Sequence, residues 1–149
     1  MSKQRIKRMG FVLKMAADKE QQDLQVWGQY QQRLEQEIGK ITQLEQYMVE
    51  YRTSLTSQQA GPIQGGQIQN TIAFIEQIKD ACGHQQQQIN LVQQQAEGAK
   101  RVYLAARAKA EALRKLIAKL NDQAYALGEK QDQKMMDEFA ARSARNRQL

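Results

Sequence analysis

Proline, cysteine, histidine and tryptophan each occur once in the 149 residues, and phenylalanine occurs three times. Each scarcity removes a class of protein. A single cysteine, Cys82, forms no internal disulfide, and with only His84 nearby it gives a metal no ligand set. Three Phe and a mean hydropathy of −0.75 leave little apolar bulk for a globular core. No apolar run approaches the roughly 20 residues needed to span a bilayer, and the basic N-terminal segment lacks the apolar stretch and small-residue cleavage site of a signal peptide. The expectation is a cytoplasmic protein that is not inserted in a membrane. Catalysis lacks its parts as well. Cys82 and His84 stand two apart and so face different sides of a helix, and the stretch from Gly61 to Gly66 has no Lys-Ser/Thr to reach a phosphate. No enzyme and no cofactor are expected.

What is present is a helix-forming composition, rich in Gln, Ala, Glu, Lys, Leu and Arg, and a seven-residue repeat. Ile6, Leu13, Glu20, Trp27, Leu34, Ile41, Met48 and Leu55 stand seven apart, with Met9, Ala16, Tyr30, Leu44 and Tyr51 on the interleaved track. Glu20, Asp23 and Glu37 interrupt it, with Leu24 and Ile38 beside the latter two. A second run carries Ile68, Ile75, Cys82, Ile89, Ala96, Tyr103, Ala110, Ile117 and Ala124, interleaved with Thr71, Ile78, Gln85, Val92, Ala99, Ala106, Leu113, Leu120 and Leu127. An isolated straight helix drifts about 20° per heptad from this period, so a repeat held this long marks a coiled-coil seam and excludes disorder.

Between the runs stand the only Pro and three of the nine Gly, in residues 60–66. Pro62 removes a backbone donor and disfavours helix at Gly61, while Gly65 and Gly66 permit positive φ. The predicted architecture is all-α: one domain over 1–149, a long two-helix antiparallel coiled-coil hairpin with unequal arms, helix one at about 3–59, a turn at 60–66 and helix two at about 67–142. A fold-back near residue 63 makes partner numbers sum to about 126, which leaves Leu127, Met135, Met136 and Phe139 beyond the reach of the first helix.

Charge follows the same plan. The net +6 divides into six Lys or Arg against two acids over residues 1–20, twelve against six over 100–149, and four against eight over 21–99. A hairpin gathers the two basic segments at one end, leaving an acidic middle. Near that middle Tyr47 and Phe74 lie off both heptad tracks. As flanks of the seam they would merely widen it; as an exposed patch over Leu44, Tyr51 and Ile78 they would mark a protein interface. The basic end also admits a nucleic-acid reading, which Asp132, Asp137 and Glu138 weaken by interrupting the positive charge.

Two short motifs give the chain a family resemblance. Gln133-Lys134-Met135-Met136-Asp137-Glu138, followed by Phe139, is similar to the C-terminal Gln-Lys-x-x-Asp-Glu signature of the flagellar export protein FliJ family. Tyr47-Met48-Val49-Glu50-Tyr51-Arg52 before the turn and Phe74-Ile75 after it resemble a second region of that family. The resemblance implies a stalk and general chaperone of the flagellar type III export apparatus, held peripherally at the inner face of the cell membrane at the flagellar base. It implies three partners: the export ATPase hexamer, the transmembrane export gate protein and export chaperones. Leu44, Tyr47, Tyr51, Phe74, Ile78 and Ala81 would face the gate. Arg5, Arg8, Gln133, Lys134, Asp137, Glu138 and Phe139 would face the ATPase. A stalk of a virulence type III secretion injectisome shares the shape but generally lacks the C-terminal signature, and a nucleic-acid-binding coiled coil is the alternative from another class.

Overall fold

A computed structural model describes residues 2–58 and 65–148, all of them helical. Helix α1 is Ser2–Gln58 and α2 is Gly65–Gln148. They pack against each other as an all-α helical hairpin. Residue 59 and residues 60–64 of the expected turn lie outside the described residues. Gly65 and Gly66 open α2 and do not belong to a turn, and no described glycine has positive φ. A first helical turn tolerates Gly because its N–H groups have no intrahelical partners in any case. At the other end α2 continues past the expected residue 142 to Gln148, where Arg145 and Arg147 sit in the last turn against the negative end of the helix dipole.

The chain divides into two compact units, residues 23–103 and residues 1–22 with 104–149. In the first, the central unit, Tyr51 meets Phe74, Glu37 meets Gln85 and Trp27 meets Tyr103. Numbers fall on α1 as they rise on α2, so the pairing is antiparallel, and the partner sums of 125, 122 and 130 bracket the expected 126. Its core is Ile75, Ile89, Val92 and Ala96, with Val92 wholly buried. In the second, the terminal unit, Ala16, Ala106 and Ala110 are buried, and Arg114 Nη2 donates to Glu20 Oε2 across the helices at 3.2 Å. All seven apolar core residues stand on the heptad tracks read from the sequence.

The interruptions of the repeat turn out to be part of the seam. Leu24 and Ile38, the apolar neighbours of Asp23 and Glu37, are exposed, while Glu37 is buried and Glu20 and Asp23 are half-buried. Helical phase decides this. Turning Ile38 inward would rotate every other residue of the track out by about 100°. The acids therefore stay at the seam, where Glu20 meets Arg114 and Glu37 meets Gln85.

Candidate partner-binding surfaces

The best-defined polar cluster is built on Glu37, which occupies a seam position where the repeat asks for an apolar side chain. Gln85, a seam residue of α2, reaches across and donates its Nε2 to Glu37 Oε2 at 2.5 Å and to the Glu37 backbone carbonyl at 2.9 Å. Lys40, one turn on, places its Nζ 3.2 Å from Glu37 Oε1. The Gln85 hydrogen bond, reinforced by Lys40, holds the Glu37 carboxyl below its ordinary value despite the opposing effect of burial. Two polar residues that each look like faults in the sequence thus satisfy each other. Such a layer fixes register, because a slip of one heptad would bury both unpaired.

A second layer is aromatic. Trp27 and Tyr103 stack across the helices with ring centroids 5.7 Å apart, and Lys100 Nζ lies 5.9 Å from the indole centroid. The indole Nε1 is buried with no hydrogen-bond partner among the described residues. Asp23, Val26, Tyr30, Gln95, Gly98, Ala99 and Val102 line an open groove beside this layer.

The residues expected to face the export gate all lie in the central unit. Leu44, Tyr47 and Tyr51 follow one another at helical spacing on α1, as Phe74, Ile78 and Ala81 do on α2. Leu44, Ile78 and Ala81 are half-buried at the seam or its edge. Phe74 lies within one residue of the position on α1 that the register suggested: it stacks on Tyr51, next to Arg52, centroids 5.8 Å apart and planes within 6°. Tyr47 is exposed, and its hydroxyl oxygen accepts a hydrogen bond from Gln43 Nε2 at 3.1 Å. Sequence reasoning passed over Val49 and Ile72, which are both exposed in the same unit. Their signal was available, since each is an apolar residue at a position the heptad leaves to solvent.

The residues expected to face the ATPase lie in the terminal unit, and all are exposed. They form two groups that the structure does not bring together. Arg5 and Arg8 stand on α1, whereas Gln133, Lys134, Asp137, Glu138 and Phe139 belong to a stretch of α2, residues 129–142, in which every side chain is exposed. Met135, Met136 and Phe139 within this stretch, and Tyr125 and Leu127 just before it, are at least 59% exposed, so this end of α2 presents apolar groups largely open to solvent. The terminal unit carries sixteen Lys or Arg against eight acids, and the central unit six against eight.

The two ligating side chains of the middle stay apart in role: Cys82 is half-buried on the seam and His84 is exposed. No described helix is long and apolar enough to cross a membrane. What the surfaces offer is contact: exposed apolar side chains on both units, a basic terminal unit, and shallow open grooves.

No curated protein and no solved structure matches the chain. A family model described as "Flagellar FliJ protein" does match, over residues 5–149, nearly the whole chain. The chain therefore belongs to the FliJ family of non-catalytic flagellar export proteins, whose role is that of a stalk and chaperone associated with the export apparatus.

Proposed function

We propose that this chain is the stalk of the flagellar export ATPase, engaging the ATPase hexamer through its terminal unit and the export gate through its central unit. The observation that carries the reading is the stretch 129–142, a helix with every side chain exposed, bearing Met135, Met136 and Phe139 within a unit of strong positive charge. Water-exposed apolar groups at helical spacing are costly to leave open, and a protein cavity that closes round them removes that surface from water. Arg5, Arg8 and Lys134 supply charge for an oppositely charged wall, and Gln133, Asp137 and Glu138 supply polar contacts around Phe139.

The gate contact is assigned to Tyr47 with the Tyr51–Phe74 stack, flanked by Leu44, Ile78 and Ala81. Exposed aromatics on a rigid helix pair are the usual anchors of a protein interface. Through these two contacts the protein escorts export chaperones and acts peripherally at the inner face of the membrane. The test is stimulation of the purified export ATPase by the full chain. Turnover should rise when the chain is added, and Lys134→Glu with Phe139→Ala should abolish most of that rise. Undiminished stimulation by the double variant, or ATP turnover by the chain alone, would sink the assignment.

A further inference from the structure

We propose that the outward face of α1 between Lys3 and Met15 is a docking face for an anionic bilayer surface, on which the helix lies without crossing it. The seam side of this segment is occupied: Ile6, Met9 and Leu13 are half-buried and Ala16 is buried against α2. On the opposite side Phe11 and Met15, one turn apart, stand 68% and 70% exposed. Lys7 and Lys14 border this ridge on one edge and Arg8 on the other, with Lys3 a turn before them, and all four are exposed with no ion-pair partner among the described residues. No acidic residue occurs before Asp18. Gln4, Lys7, Arg8 and Phe11 line a shallow open depression on the same face.

The chemistry of the occupant follows from this arrangement. The face is a convex ridge with an apolar centre and cationic edges. At the boundary between headgroups and acyl chains the Phe11 ring and the Met15 thioether sink below the phosphate plane, while the Lys and Arg stems extend so that their charges stay among the phosphates. Nucleic acid complements the charge but gives an exposed Phe and Met nothing to enter. A protein partner would need a groove shaped to the ridge, whereas a bilayer complements it by deforming. Each basic residue near an anionic surface contributes about fivefold in affinity, so Lys3, Lys7, Arg8 and Lys14 together suffice for reversible recruitment. Arg8 belongs both to this face and to the surface assigned above to the ATPase, so the two engagements compete.

The experiment is co-sedimentation of the full chain with phosphatidylcholine vesicles and with vesicles that also contain phosphatidylglycerol. Binding should appear only with the anionic vesicles and weaken as salt rises. Lys7→Glu with Lys14→Glu should reduce it by at least about twenty-fivefold. Phe11→Ala with Met15→Ala should reduce it by about tenfold while helicity and ATPase stimulation stay unchanged. Equal binding to both vesicle types, no binding to either, or indifference to the Phe11/Met15 pair overturns the proposal. So does retention by DNA fragments that equals retention by the vesicles. Because ATPase stimulation is read on the same proteins, failure here is distinguishable from failure of the stalk reading.

Discussion

Replacing Phe74 by Ala should lower the stability of the protein, although Phe74 is off the heptad tracks and 52% exposed. About half of the ring, roughly 100 Å2, is removed from water, which at about 25 cal/mol per Å2 amounts to about 2.5 kcal/mol as an upper figure. The parallel stack on Tyr51 adds about 0.5–1.5 kcal/mol that neither ring supplies alone. For a chain of this size 1 kcal/mol moves the thermal midpoint by about 2–4 °C, so Phe74→Ala should lower it by up to about 6–16 °C. Tyr47→Ala, at a side chain 43% exposed, gives up a comparable buried area but no ring stack among the described residues, so it should cost less than Phe74→Ala by about the 0.5–1.5 kcal/mol of the stack. The assay is a double-mutant cycle on Tyr51→Ala and Phe74→Ala, followed by urea and thermal melts of helicity in all four proteins. A Phe74→Ala midpoint equal to the parent, or a coupling energy of zero between positions 51 and 74, would refute the reasoning. The cycle also bears on function. Loss of gate binding in Phe74→Ala or in Tyr47→Ala mixes lost contact with lost stability, so each is read against its own melt.

Three further outcomes can be measured with the same melts. Glu37 has its carboxyl held below the ordinary value by Gln85 and Lys40, so its stabilising effect is complete above the ordinary carboxylate pKa and is withdrawn as pH falls through the lowered one; a Gln85→Leu protein should show less acid sensitivity over that window, and an unchanged pH profile would contradict it. Gly39→Ala and Gly83→Ala should each stabilise by about 1 kcal/mol, because a Cβ built at either position meets nothing within 4 Å; destabilisation by either would show that the glycine has a packing role. Val92→Ala, at the one wholly buried large side chain among the described residues, should cost about 2 kcal/mol and shift the urea midpoint with an unchanged slope.

The sequence made the seam legible almost residue by residue, because a 3.5 period is a geometric constraint that side-chain chemistry obeys: Ile75, Ile89, Val92, Ala96, Ala106 and Ala110 are buried where the tracks placed them. It also showed that Leu127, Met135, Met136 and Phe139 would lack neighbours, since arm length follows from where the helices break. What it hid was compensation across the helices. Gln85 is a polar residue on an apolar track and Glu37 an interruption of the other, and only the fold shows one hydrogen-bonded to the other. The stack of Phe74 on Tyr51 was hidden for a related reason: numbering sums fix a neighbour to within about a turn, while an aromatic ring selects among those neighbours by stacking. The helix boundaries at Gly65 and Gln148 escaped because terminal residues respond to end effects and not to the repeat.

Residues 129–142 continue α2 with no packing against a second helix. A peptide of that length alone in water would be mostly coil, since starting a helical turn is disfavoured by a factor of about a thousand. Here the packed part of α2 supplies the starting turn, and each further residue is added with an equilibrium constant near one. The segment is therefore a seeded helix poised close to its melting balance, and a binding cavity that prefers the helical form has only a small free-energy difference to overcome. Its length in solution then becomes a variable that temperature, charge changes at Asp132, Asp137 or Glu138, and the partner itself all adjust, so recognition by this end reads helix propagation as much as it reads side chains.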